Sequence, residues 1–292
     1  MMQNILIGCV PITWRNVPDE QVMAEIAQAG YDGAVAGPRP DRSEEETLAL
    51  LARHGLKPAP GYLGADFWDP AKEAEILDRA EKMATFAMRA GVTELFVAPG
   101  GFNSYVTRRG LTRNQIAGHV QPEDSMTDAE FDQFARVLNR VGEITLEYGV
   151  RSCFHNHVGA TIETRAEIDR LFSLVDRSVV FLGPDTGHLA WAGDDVVQFC
   201  RDYAGSIKTM HLKDVNPEVL RRGQPDWGYR RYSDEGIWTE LGQGCVDFPA
   251  IFSILKEAGF SGWLLAETDQ TQLPTAYESA VISRNYLRSL GL

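Results

Sequence analysis

Familiar sequence devices are missing from this 292-residue chain, and each absence removes a class of function. No apolar run is followed by G-x-G-x-x-G or by a Walker loop, which speaks against a dinucleotide or nucleoside-triphosphate site. The four cysteines, Cys9, Cys153, Cys200 and Cys245, lie far apart and form no C-x-x-C pair. Buried thiols are expected, not a disulfide framework or a zinc knuckle. No apolar stretch is long enough to cross a bilayer, and Met1-Met2-Gln3-Asn4 lacks the basic-then-apolar order of a signal peptide. Positive charge is also short: 28 Lys and Arg face 41 Asp and Glu, a formal net charge of −13 that repels phosphate backbones. The expected setting is the cytoplasm, with a small neutral or weakly charged substrate and neither nucleic acid nor membrane as partner.

What the chain does have is a repeating order of short apolar runs and amphipathic segments. Ile5 to Val10, Tyr31 to Ala36, Lys57 to Tyr62, Val92 to Ala98, Val150 to Phe154, Val179 to Leu182, Ile207 to Leu212 and Gly262 to Ala266 read as strands. Helical segments separate them. Capping boxes at Ser43 with Glu46, Thr127 with Glu130 and Thr164 with Glu167 open three of these, Asp69-Pro70 opens another, and Gly30, Gly55, Gly91 and Gly149 close four. Eight alternating units without a composition break predict an α/β fold, a single (β/α)8 TIM barrel over residues 1–292. A doubly wound open sheet is the competing architecture, and it lacks its phosphate-binding glycines. Two stretches, 99–126 and 214–246, are long for barrel loops. They are expected to cover the C-terminal face as lids or to make a subunit contact in a homo-oligomer.

In a barrel, the C-terminal strand ends and the loops behind them converge on one face. Strand five runs into His155-Asn156-His157, whose imidazoles share a side because strand residues i and i+2 do. Strand six ends in Gly183-Pro184-Asp185-Thr186-Gly187-His188, strand seven in His211-Leu212-Lys213-Asp214, and strand eight in Glu267-Thr268-Asp269. Taken singly, each side chain has an ordinary use: Asp185 as a helix cap, His155 as a core histidine, Glu267 as the partner of a base. Together they form a mixed oxygen and nitrogen shell suited to Mn²⁺, Co²⁺, Zn²⁺, Mg²⁺ or Fe²⁺. The candidate ligands are Asp185, His211, Glu267 and one residue after strand five, Glu163 or His155. An ion beside a carbonyl, with histidines and Lys213 to move protons, suits proton abstraction next to that carbonyl. Reprotonation then makes an isomerase or epimerase, and loss of a β-hydroxyl makes a dehydratase.

The same residues carry a family likeness. With Pro11-Ile12-Thr13-Trp14 and Asn16 near the start, and Gly242-Gln243-Gly244 before helix seven, they make the chain resemble the xylose-isomerase-like TIM-barrel superfamily of sugar phosphate isomerases, epimerases and dehydratases. Within it the likeness is greatest to the inosose dehydratases, and it covers nearly the whole chain. It implies metal ligands at Asp185, His211 and Glu267. His155 stands where many members carry Glu, so Glu163 is taken as the fourth ligand, with His155 as the alternative. His157, His188 and Lys213 become the expected proton-handling groups, and Trp14, Asn16, His155, Asp214 and Arg230 the expected substrate contacts. Strand two offers Gly33-Ala34-Val35 where Gly-x-Glu is usual, which alters the pocket. The implied activity is metal-dependent dehydration of a keto-cyclitol or keto-sugar, or elimination from a 3-keto-glycoside, with Mn²⁺ or Co²⁺. A ketose epimerase or isomerase is the alternative, and a non-catalytic sugar-binding barrel is the alternative of another class. Acidic charge and too few further ligands set the chain apart from the superfamily's three-zinc DNA-repair endonucleases.

Overall fold

The computed structural model describes residues 4–292, so the signal-peptide reading of Met1 to Gln3 lies outside the described residues. Its strands are β1 (Ile5–Cys9), β2 (Gly33–Val35), β3 (Lys57–Ala59), β4 (Tyr62–Ala65), β5 (Glu94–Pro99) and β6 (Arg151–Phe154). They continue with β7 (Val180–Leu182), β8 (Met210–Leu212), β9 (Asp214–Val215), β10 (Trp238–Thr239) and β11 (Gly262–Ala266). One parallel sheet runs β3-β2-β1-β11-β8 and a second runs β4-β5-β6-β7. Parallel bridges Leu182–Ile207 and Asp185–His211 join β7 to β8. At the other seam β3 and β4 follow each other as two halves of one stave, and the eight-stave (β/α)8 barrel closes.

That third stave corrects the single strand expected from Lys57 to Tyr62. β3 pairs with β2, β4 pairs with β5, and Pro60-Gly61 is the handover. Pro60 has no N–H to give a ladder, so pairing breaks there and resumes on the other neighbour.

Alternation along the staves divides the core. Ile7 and Cys9 of β1 face the outer helices, whereas Leu6 and Val10 join Phe96, Trp263 and Leu265 in filling the barrel. Helices Asp19–Ala29, Glu44–Arg53, Glu73–Ala90, Asp128–Glu147, Arg165–Phe172, Val196–Tyr203, Phe248–Glu257 and Ala276–Ser289 form the outer ring. The capping boxes at Ser43, Thr127 and Thr164 are all made, each cap contributing about 1 kcal/mol. Cys9, Cys153 and Cys200 are buried free thiols, but Cys245 is exposed, because it sits in a turn and not in an apolar strand. Among the described residues no helix is long and apolar enough to cross a membrane.

The two long loops carry structure of their own. The first contains the short turns Arg113–Ile116 and Pro122–Asp124; the second contains the antiparallel β9–β10 ribbon and helices Pro217–Arg222 and Tyr229–Asp234. Tyr232 Oη and His119 Nε2, 3.0 Å apart, tie one loop to the other. Arg113, fully buried, donates through both terminal nitrogens to Glu167 at 2.8 and 2.9 Å and pins the first loop to the barrel wall.

Candidate metal centre and reaction cavity

The strand ends meet as expected, and local hydrogen bonds fix how. Asn156 grips Asp185 reciprocally: its Oδ1 accepts the Asp185 N–H at 3.0 Å and its amide donates to the Asp185 carbonyl at 3.4 Å. That pairing holds the His155 loop against the end of β7. Asp185 then has two uses at once. Its Oδ1 accepts the His188 N–H at 2.9 Å and so caps a short helix, Thr186–Trp191, that the sequence reading did not anticipate. Its Oδ2 has no hydrogen-bond partner.

His155, Asp185 and His211 are all buried, and each offers a ligand atom within 4.8 Å of the others. His155 Nδ1, Asp185 Oδ2 and His211 Nε2 are buried without hydrogen-bond partners. Unpaired buried polar atoms are rare because each costs about 1–3 kcal/mol, so two open imidazole nitrogens beside a carboxylate oxygen that only Lys213 approaches point to a missing ligand. Glu267, at the end of β11, approaches His211 Nδ1 through Oε2 at 2.5 Å. Two imidazoles and the Asp185 carboxylate, with the Glu267 carboxylate beside His211, suit a divalent ion of the Mn²⁺–Zn²⁺ series.

Electrostatics around the cluster are set by one buried lysine. Lys213 Nζ lies 2.8 Å from Asp269 Oδ1, 3.3 Å from Asp185 Oδ2 and 3.5 Å from Glu267 Oε1, and 4.6 Å above the Trp238 ring. Burial works against its charge, yet the three carboxylates hold it well above the ordinary lysine range. Lys213, expected from sequence to move protons, thus sits ion-paired on three sides among the carboxylates of the cluster. Gly187 makes room for it, since a Cβ there would stand 2.7 Å from Lys213 Cγ. Burial raises Asp185 to about 6 against the pull of Lys213. Glu267 is held well below its usual value: burial opposes this, but Lys213 and His211 outweigh it.

The two remaining histidines differ. His188 meets the Val158 N–H at Nδ1 (3.2 Å) and the Lys213 ammonium at Nε2 (3.2 Å). The Val158 N–H occupies Nδ1 and Lys213 stands against Nε2, and burial with His157 nearby lowers its pKa well below the usual value. His188 is thus enclosed, against its expected part in proton transfer. His157 places Nδ1 2.7 Å from the Val158 carbonyl, which fixes a proton on Nδ1 and leaves Nε2 as an acceptor. Burial and Lys213 lower its pKa to about 3, so it is neutral in ordinary buffers.

A cavity of about 320 Å³ opens over the cluster, lined by His155, His157, His211, Glu267 and Asp269 on one side and by Val10, Ile12, Val35, Pro60, Tyr62 and Phe102 on the other. Val35 stands in the wall at strand two, where a carboxylate would otherwise project. Sequence reasoning missed Tyr62 and Phe102, single aromatics without a pattern, and gave Asp269 no role. Asp269 accepts from Tyr229 Oη at 2.9 Å and ion-pairs with Lys213, so the second long loop reaches the cavity edge.

Other expected site residues lie elsewhere. Glu163 spends both carboxylate oxygens on backbone amides, Gly118 N at 2.8 Å and Gly159 N at 2.7 Å, and stands outside the ligand cluster. The positive φ of Gly159, 82°, turns the chain back and directs Glu163 onto the loop instead of the cavity. Asp214 collects four backbone N–H groups, from Val215, Gly242, Gly244 and Val246, and so shapes the second loop from within. Trp14 is buried with its indole donating to Glu25 at 2.6 Å, and Asn16 is an exposed turn residue at φ 60°. Arg230 is almost fully exposed and faces Asp234. None of these five lines the cavity.

A parallel barrel with mixed carboxylate and imidazole side chains at its C-terminal face defines a class, and comparison with known proteins narrows it. A family model described as the xylose isomerase-like TIM barrel matches residues 23–290, and the chain belongs to that family. It is 32% identical to an inosose dehydratase of Geobacillus kaustophilus (strain HTA426), over 97% of this chain and 94% of that protein. Among solved structures, the IolI protein with a binding zinc atom superposes with a TM-score of 0.70 at 20% identity, over 98% of this chain and 97% of that one. The 3-keto-D-glucoside 4-epimerase YcjR from E. coli gives 0.73 at 16%, over 98% and 100%. At these identities the two structures speak for the fold.

Proposed function

We propose that this chain is a divalent-metal-dependent carbon–oxygen lyase that dehydrates a keto-cyclitol or keto-sugar. The observation that carries the reading is the convergence of buried His155, Asp185 and His211, with His155 Nδ1 and His211 Nε2 open, beside a cavity that His157 also lines. Likeness to inosose dehydratases over nearly the full chain supports it. His155, Asp185, His211 and Glu267 would hold the ion, with Mn²⁺ or Co²⁺ the best match to this donor set and Zn²⁺, Fe²⁺ or Mg²⁺ the other choices. When bound, such an ion supplies Lewis-acid polarisation of a carbonyl.

The chain's own groups do the rest. His157 Nε2, the free acceptor, takes the proton from the carbon next to the ketone. The β C–O bond then breaks, and the departing hydroxide regains that proton from His157 and leaves as water. The product is a conjugated enone. Lys213 keeps its proton throughout and holds Asp185, Glu267 and Asp269 in place. Val35, Ile12, Tyr62 and Phe102 cover the far side and limit water access.

Incubation with Mn²⁺ and scyllo-inosose, followed by enone absorbance, tests the reading. Deuterium exchange at the α-carbon of a ketose without loss of water would replace it with the epimerase alternative. A purified protein that holds no metal and does not respond to added ions would point to a sugar-binding barrel.

A further inference from the structure

We propose that the preferred substrate carries no hydroxyl on the ring edge opposite its carbonyl, and that Val35 sets this preference for a deoxygenated ketone over a fully hydroxylated keto-cyclitol. This rests on the keto-sugar lyase reading and narrows its substrate class. The reaction cavity draws its lining from two opposite arcs of the barrel. Its imidazoles and carboxylates follow β6, β8 and β11, whereas Val10, Ile12, Val35, Pro60 and Phe102 come from the ends of β1, β2, β3 and β5. None of those five side chains can give or take a hydrogen bond.

Much of the backbone behind them is engaged as well. The Val10 N–H donates to the Ala266 carbonyl at 3.0 Å, the Phe102 carbonyl accepts the Asn114 N–H at 2.9 Å, and Pro60 has no N–H to offer. Val35 is paired in register with Ala59 of β3. Among the described residues that line the cavity, Tyr62 alone brings a hydroxyl to that arc. The polar arc has its own partners: His155, His211 and Glu267 are the proposed ligands, His157 is the proposed base, and Asp269 is held by Tyr229 and Lys213. Little of it remains to recognise further hydroxyls.

Size decides which part of a substrate meets the apolar arc. At about 320 Å³ the cavity lies near the lower end, roughly 300–1,000 Å³, of small-ligand sites, and a single six-membered ring fills it. With the carbonyl toward the ligand cluster and the α-hydrogen toward His157, the far edge of that ring rests on Val35 and Ile12. A hydroxyl there would give up its water and find no partner, which costs about ten- to a hundredfold in affinity. A C–H edge loses nothing and gains from burial. A carboxylate at position 35 would accept from such a hydroxyl, whereas the isopropyl group of Val35 selects against it.

The test compares scyllo-inosose with its analogue lacking the hydroxyl across the ring from the ketone, a change that leaves the α-hydrogen and the β-hydroxyl in place. Affinity by titration calorimetry and kcat/KM by enone absorbance are both measured on the Mn²⁺-loaded protein. The deoxy ketone is expected to bind about tenfold or more tighter. Val35→Thr, which keeps the side chain's shape and adds a hydroxyl, is expected to cut that margin to about threefold or less, and Val35→Glu to reverse it. Equal affinity for the two ketones, tighter binding of scyllo-inosose, or a margin that Val35→Thr leaves unchanged overturns the proposal. Tighter binding of the deoxy ketone, narrowed in Val35→Thr, upholds it even if neither ketone eliminates, an outcome that would remove only the lyase reading. Threonine fits where valine does, so a folding failure of Val35→Glu leaves the comparison intact.

Discussion

His157 and His188 lie ring against ring, centroids 3.7 Å apart and planes tilted by 35°, yet only one of them opens onto the reaction cavity. His157 has a free Nε2, whereas His188 is buried with its Nδ1 taken by the Val158 N–H and its Nε2 3.2 Å from Lys213 Nζ. His157→Asn should therefore lower kcat by about 10²–10⁴-fold, the usual worth of a positioned general base, while bound metal stays unchanged. His188→Asn should cost less in rate and more in stability. Steady-state kinetics paired with elemental analysis check this, and a fully active His157→Asn enzyme would exclude the assignment.

The strand-five ligand can be decided by metal content. Asp185→Asn keeps an oxygen to cap the His188 amide but loses the ligand charge, and His155→Gln removes an imidazole from the cluster. Each should weaken ion binding by about 100-fold or more, the upper range for loss of even a supporting partner. Glu163→Gln should retain the ion. Metal retained by His155→Gln and lost by Glu163→Gln would reverse the choice.

Lys213 stands at 1% side-chain exposure among three carboxylates. Replacing it with Met leaves those charges buried without a cation, and unfolding by urea should show a loss of about 3–5 kcal/mol. A bound divalent ion would compensate in part, so the loss should be larger after chelation. Equal stability in wild type and Lys213→Met would show that water reaches these carboxylates.

Glu163 gives a pH dependence of defined sign. Burial raises its pKa from 4.5 to about 7, although Arg113 and the two backbone amides pull the other way. The folded state thus holds a proton that the unfolded chain has released between about pH 4.5 and 7. This contribution is complete below pH 4.5 and is lost as pH rises through 7, up to about 3 kcal/mol in total. Glu163→Gln should remove that slope, at a pH-independent cost of about 1–3 kcal/mol because its NH₂ opposes one of the glycine N–H groups. Urea midpoints from pH 4.5 to 8 measure both effects, and an unchanged slope in the variant would rule Glu163 out as the source.

How far the sequence could be read depended on whether a signal was repeated. The barrel was legible because apolar runs alternate with helical segments eight times, and capping boxes and glycine stops mark several of the boundaries. Asp185, His211 and Glu267 were legible as a set because each lies at or just beyond the C-terminal end of an apolar run, and the barrel brings such positions together. Glu163 and Asp214 misled for the opposite reason. They lie in loops whose path depends on Gly159, Gly242 and Gly244, and backbone amides claim both carboxylates. Trp14 and Asn16 belong to a motif that shapes the end of β1, which made them look like site residues. Tyr62 could be found only after the third stave was seen to break at Pro60-Gly61, because the break sets which way the ring projects.

That break has a further consequence. The barrel consists of two half-sheets, and the four proposed ligands are drawn from both: His155 and Asp185 follow β6 and β7, while His211 and Glu267 belong to β8 and the end of β11. Backbone bonds from Lys208 to the Leu182 carbonyl and from His211 to the Pro184 carbonyl, 2.9 and 3.0 Å, stitch the seam between them. An ion held by all four residues is then also a rivet across that seam. Its arrival would slow solvent exchange of the Lys208 and His211 amides and leave the proline-broken seam opposite as the place where the barrel breathes.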